Sequence, residues 1–104
     1  MTTPTGPGSD FEAAVTKLLR ELRPGEVVTY GELAIEAGHP GLSRAVGTLL
    51  ARSDDPTIPW WRVVTAAGRL VPGHEVEQAR RLRAEGVSVA GEGGHILRRP
   101  SPAP

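Results

Sequence analysis

A chain of 104 residues is long enough for one small domain with a single core and short of a second. Its twelve basic and twelve acidic residues cancel, which argues against a strongly steered, non-specific binder of polyanions. The absence of cysteine excludes disulfides, thiolate metal sites and cysteine nucleophiles.

No apolar run approaches the roughly 20 residues of a membrane span. No basic segment followed by an apolar core opens the chain, so a cytosolic protein is expected. Met1 to Gly8 and residues 98–104 are rich in Pro, Gly, Ser and Thr and are expected to be disordered tails, leaving a domain over 9–97. All basic residues but Lys17 are arginine, the side chain suited to bidentate phosphate contact and to stacking on bases. A GC-rich coding sequence produces the same bias, and composition does not choose between the two.

Ser9-Asp10-Phe11-Glu12 fits a capping box with Ser9 as the N-cap. Phe11, Val15, Leu18, Leu19 and Leu22 then recur at helical spacing until Pro24-Gly25 stops the helix. Val27-Val28 is expected as a short extended link. Thr29 with Glu32 makes a second capping box, opening a short helix from Tyr30 to Ala37 that Gly38 closes. His39-Pro40 turns the chain, and a third helix is predicted from Gly41 to Arg52 with Val46, Leu49 and Leu50 inward. Two helices joined by a short Gly-containing turn form a helix-turn-helix, with the third helix in the recognition position.

Ser53 to Thr57 is a polar loop. Arg62-Val63-Val64 and Arg69-Leu70, separated by Thr65-Ala66-Ala67-Gly68, are predicted to form a small hairpin. A fourth helix is predicted from His74 to Glu85, with Val76, Ala79 and Leu82 inward and Gly86 as its stop. Val87-Ser88-Val89 and His95-Ile96-Leu97 form a possible second hairpin, a wing or edge pair. The expected fold is mainly α with small β hairpins, a winged-helix-like helix-turn-helix domain.

The outward face of the third helix carries Arg44, Ala45, Thr48, Ala51 and Arg52. Small residues let a helix backbone approach another surface closely, and the arginines at its ends can reach phosphates or enter a duplex. A solvated face has the same composition. Direct base readout has little to draw on: the chain has no Asn and one Gln, Gln78, outside this helix. Recognition of a long sequence is therefore not expected. An inserted Arg and selection for a base that leaves the stack easily fit better.

The remaining signal is Pro59-Trp60-Trp61-Arg62, which holds both tryptophans of a chain whose other aromatics are Phe11 and Tyr30. An indole is neither an accessible nucleophile nor a base near neutral pH, but its flat apolar face can stack on a purine. Adjacent side chains seldom point the same way, so one ring, Trp60, is expected in a pocket and the other packed or partly exposed.

With Val27-Val28-Thr29-Tyr30-Gly31-Glu32-Leu33-Ala34, Arg44-Ala45-Val46-Gly47 and Arg62-Val63-Val64 around it, this tetrapeptide resembles the Pro-Cys-His-Arg motif of O6-alkylguanine-DNA alkyltransferases. Trp at the cysteine position marks the alkyltransferase-like proteins, and the resemblance covers residues 10–89. It implies a protein without enzymatic activity or cofactor, acting as a monomer on duplex DNA that contains O6-alkylguanine. It also implies approach from the minor-groove side, association with the nucleoid when bound, and nucleotide excision repair proteins as partners. The lesion pocket would comprise Trp60, Trp61, Val63 and Tyr30, with the backbone of Trp60 and Val63 at the guanine edge. Arg44 would fill the space of the extruded nucleotide and Tyr30 would press on the adjacent phosphate. Ala45, Thr48, Arg52 and Arg62 complete the expected DNA-contacting set.

In the family's alkyl transfer, a carboxylate orients the His that activates the thiol. That carboxylate matches Glu85, which without an imidazole partner is expected to make a salt bridge instead. The chain departs from the alkyltransferase-like pattern at Trp61, where His is usual. It departs again at Val71-Pro72-Gly73-His74-Glu75, which replaces the Gly-Asn-Tyr-Ser-Gly binding loop of the enzymes, and at Ser53-Asp54, which replaces a hinge Asn. Two other functions accommodate the same elements: a winged-helix regulator or architectural protein without lesion preference, and a protein-interaction module docking through the aromatic pair.

Overall fold

A computed structural model of the chain describes residues 9–90 and Ile96. Both expected tails, the glycine-rich link, His95 and Leu97 lie outside the described residues. The order of elements is α1 (Ser9–Glu21), β1 (Val28–Thr29), α2 (Tyr30–Glu36), α3 (Ser43–Arg52), a 3-10 turn (Trp60–Arg62), β2 (Val63–Val64) and α4 (Glu75–Ala84). This is the mainly helical architecture with minor β content that the sequence pattern predicts.

α1 begins at Ser9 itself, so Ser9 is a helical residue and not the cap that precedes one. Its Phe11, Val15 and Leu19, spaced four apart, form a fully buried stripe, while Leu18 and Leu22 flank it half-buried. α2 starts on the expected capping box: Glu32 N–H donates to Thr29 Oγ1 at 3.1 Å, and Thr29 N–H donates to Glu32 Oε1 at 2.8 Å. Gly38, at φ 88°, takes the left-handed conformation that ends α2 and turns the chain toward α3. The polar loop after α3 is tied back to α1, because Asp55 accepts from Arg20 at 2.7 Å and from the backbone of Thr57 at 2.9 Å.

Val27-Val28 is more than a link. Val28 pairs with Val63 and Thr29 with Val64 in a two-stranded parallel sheet. The expected hairpin is therefore corrected: the ladder partner of β2 is β1, and residues 65–69 contribute a turn, closed by Gly68 N–H to Thr65 C=O at 2.8 Å and Thr65 N–H to Arg69 C=O at 3.2 Å. At the far end Val89 bridges Ile96 in antiparallel fashion, as the wing pattern suggests.

This short sheet divides the core. Successive residues of a strand face opposite sides, so Val63 enters one apolar cluster and Val64 the other. The first cluster joins α1, α2 and α3 through Phe11, Val15, Leu19, Leu33, Ala34 and Val46. The second joins α4 to the wing through Leu70, Ala79, Leu82, Val87, Val89 and Ile96. Both faces are covered, as parallel strands require.

α4 corrects one inward assignment. Val76 is 81% exposed, while Gln78 is fully buried beside Ala79 and Leu82. At 3.6 residues per turn Val76 lies roughly 120° round the helix from Leu82, whereas Gln78 lies within roughly 40° of it. Among the described residues, no helix is long and apolar enough to cross a membrane.

Candidate nucleic-acid interface

The helix-turn-helix presents α3 as predicted, with Arg44, Thr48, Ala51 and Arg52 exposed. Neither Arg44 nor Arg52 forms an ion pair among the described residues, so both guanidinium groups are available. Ala45 differs: it is half-buried and packs on the first core cluster, so only part of it reaches the outward face. Tyr30, the first residue of α2, lays its ring beside Gly47 of α3, where an added Cβ would meet the ring at 3.9 Å. Burial raises the pKa of its hydroxyl, which stays a neutral donor at physiological pH.

Behind α3 opens a cavity of about 320 Å³. Leu50, Ala51 and Ser53 at the end of α3 form one wall, Tyr30 and Trp60 a second, and Val71 and His74 the third. Such a volume falls within the ~300–1,000 Å³ of small-ligand pockets. The Trp60 ring is half-buried, edge-on to the His74 imidazole at 5.8 Å between centroids. The lining of the cavity is largely apolar, with Tyr30, Ser53 and His74 among its residues that carry polar groups.

The tetrapeptide divides into two roles because the 3-10 turn points consecutive side chains apart. Trp60 faces the cavity. Trp61 lies outside it, packed on the second core cluster, and its indole N–H donates to Glu85 Oε2 at 2.8 Å. Arginines lie over its ring: the Arg81 guanidinium is 4.6 Å and that of Arg62 5.3 Å from the ring centre.

Arg62 is not placed to contact DNA. Its fork grips Glu85 at 3.0 Å (Nε to Oε1) and 2.7 Å (Nη2 to Oε2), and Nη1 donates to the Leu22 carbonyl at 2.9 Å. Only 9% of the residue is exposed. An arginine at this depth must be paired, and every direction of its fork is used inside the fold. Glu85 accepts a further bond from Gly25 N–H at 2.9 Å. Gly25 is required there: its φ is 90°, and an added Cβ would stand 3.2 Å from the Glu85 carbonyl oxygen. Burial pushes the Glu85 pKa up, but the bonds from Arg62, Gly25 and Trp61 outweigh it and hold the group below the usual range.

Val63 is likewise outside the cavity. Its side chain is fully buried, its N–H donates to the Trp60 carbonyl, and its own carbonyl accepts from Gln78 Nε2 at 3.0 Å. Its polar backbone groups are thus engaged within the fold and not directed at a ligand. Of the four expected pocket residues, the structure brings Trp60 and Tyr30 together and places Trp61 and Val63 behind them.

Gln78 and His74 are the residues that sequence reasoning passed over. Gln78 also donates to the Trp61 carbonyl at 3.1 Å and accepts from Val71 N–H at 2.7 Å, joining the tryptophan turn to the opposite cavity wall. Its signal was a lone Gln on the inward stripe of an amphipathic helix. That of His74 was its place in the segment aligned with the enzymes' binding loop. Among the described residues, no group of three His, Cys, Asp or Glu could hold a metal ion.

Residues 10–87 match the family described as 6-O-methylguanine DNA methyltransferase, DNA binding domain. A DNA base-flipping protein of Vibrio parahaemolyticus is 34% identical over 92 residues, covering 86% of this chain and 92% of that protein. Its Escherichia coli counterpart is 38% identical over 92 residues, covering 86% and 71% respectively. Among solved structures, S. pombe Atl1 in complex with damaged DNA containing O6-carboxymethylguanine matches with a TM-score of 0.78 at 28% identity, over 91% of this chain and 98% of that one. Mycobacterium tuberculosis OGT in complex with DNA matches with a TM-score of 0.67 at 34% identity, over 75% and 50%.

Proposed function

The chain belongs to the 6-O-methylguanine DNA methyltransferase DNA-binding-domain family, as one of its alkyltransferase-like members without an acceptor cysteine, and we propose that it is a non-enzymatic sensor of alkylated guanine in duplex DNA. In this reading α3 enters the DNA from the minor-groove side, Arg44 occupies the space of the extruded nucleotide, and Tyr30 presses on the adjacent phosphate. Thr48 and Arg52 contact the backbone. The flipped O6-alkylguanine enters the cavity against Trp60, facing His74 and Ser53.

The observation that carries the reading is the position of Trp60. It forms a wall of a largely apolar cavity beside the recognition helix, and in Pro59-Trp60-Trp61-Arg62 it stands at the position that by resemblance holds the transferases' cysteine. Its indole can hold a purine without reacting with it, and base-aromatic stacking contributes about 1–3 kcal/mol per base. An alkylated guanine pairs poorly, so it leaves the stack at lower cost than an intact one, and that difference supplies selectivity.

No thiol is present to take the alkyl group, so the protein can hold the lesion but not reverse it. Removal must fall to other proteins, and the bound complex marks the site for nucleotide excision repair. The sensor acts as a monomer in the cytosol, on the nucleoid.

The decisive experiment is a titration of matched duplexes with and without one O6-methylguanine, followed by tryptophan fluorescence. Tighter binding of the modified duplex is expected. Equal affinity would instead identify a winged-helix DNA-binding protein without lesion preference. A reconstituted excision assay tests the repair step: added protein should raise incision beside the lesion, and unchanged incision would remove that step.

A further inference from the structure

Trp60 has a support that the family's usual histidine would build differently. The Trp61 ring stands behind it at 89°, with centroids 6.2 Å apart. Trp61 is itself tied down on three sides. Its N–H reaches Glu85 at 2.8 Å, Gln78 holds its carbonyl at 3.1 Å, and Arg81 covers its ring at 4.6 Å.

Glu85 does not depend on that indole. The Gly25 N–H and both donors of the Arg62 fork reach the carboxylate independently, so it stays paired if the indole N–H is removed. The N–H is therefore redundant for satisfying Glu85. What it fixes is the rotation of the Trp61 ring, and with it the surface on which Trp60 rests.

We propose that Trp61 is a positioning residue, which through its hydrogen bond to Glu85 sets the ring plane of Trp60 and thereby the lesion selectivity of the cavity. The inference rests on the sensor reading above. A preset ring stacks on an incoming base without first being ordered. Ordering one side chain on binding costs affinity by roughly two- to tenfold.

Trp61→Phe keeps an aromatic ring and removes the N–H, whereas Trp61→His restores a donor that can face Glu85. In both variants Trp60 is the sole tryptophan, so the long-wavelength indole band of the near-ultraviolet circular dichroism and acrylamide quenching of indole emission in the free protein report on its ring alone. Compared with Trp61→His, the expected result for Trp61→Phe is a weaker dichroic band and stronger quenching, with a fall of roughly two- to tenfold in the ratio of affinities for O6-methylguanine and unmodified duplexes. Affinity for the unmodified duplex should be retained, and Trp61→His should keep the stronger band and the weaker quenching of the two variants and recover the wild-type ratio. A merely structural role would lower both affinities together, which overturns the proposal, as would identical spectra and ratios in the two variants. If Trp61→Phe does not fold, Trp61→Met, with a flexible filler and no N–H, replaces it. If the wild type shows no lesion preference, the sensor reading fails, while the Trp60 spectra still decide whether Trp61 positions it.

Discussion

Replacing Gln78 by leucine deprives three backbone groups of a partner in one step. The amide of Gln78 donates to the carbonyls of Trp61 and Val63 and accepts from the N–H of Val71, at 3.1, 3.0 and 2.7 Å. The bond to Val63 is buried and the other two are partly so. An orphaned buried group costs about 1–3 kcal/mol, and a partly buried one less, because water can reach it. Leucine fills a similar volume and returns some apolar contact, which leaves a net loss of about 3 kcal/mol. For a domain of this size that lowers Tm by roughly 10–25 °C. Scanning calorimetry measures it directly. The tryptophan fluorescence of the folded variant should change as well, since Gln78 joins the turn bearing Trp60 to the wall bearing Val71. A Tm within about 3 °C of the wild type would refute the account, because a loss that small corresponds to under 1 kcal/mol.

Four further outcomes follow from the site. Glu85 titrates below its ordinary value in the fold, so its pairing stabilises the protein above the unfolded carboxylate pKa of about 4.3 and is lost as pH falls through the lower folded value. Tm should therefore drop in acid, and the drop should be shallower in Glu85→Gln; parallel profiles of the two proteins would show that Glu85 carries none of it. Arg62→Lys loses the fork on Glu85 and should cost about 2 kcal/mol in thermal unfolding with lesion preference intact, whereas Arg52→Ala should leave Tm unchanged and reduce the salt slope of DNA binding by about 1. Trp60→Ala should erase a roughly 5- to 150-fold lesion preference, the equivalent of one stacked base, in matched-duplex titrations while unmodified DNA still binds; retained preference would place the lesion elsewhere.

The parts of this fold that could be read in advance are those set by neighbours along the chain. The Thr29–Glu32 capping box, the left-handed Gly38 and Gly86, and the buried stripe of Phe11, Val15 and Leu19 each depend on contacts within a turn or two of helix. The sequence by itself also determined that no thiol chemistry is open to the protein, and that of two adjacent tryptophans one would line a pocket while the other packed elsewhere. Tertiary structure alone decided which long-range partners these elements found. Val28 pairs with Val63 and not with its own neighbours, because only a parallel strand buried on both faces joins the two clusters. Arg62 and Trp61 turn inward because Glu85, more than twenty residues on, offers them a carboxylate already held by Gly25. Gln78 is buried and Val76 exposed because hydropathy states which side chains favour burial, while the groups that stand opposite a helix face decide which of them the core can satisfy.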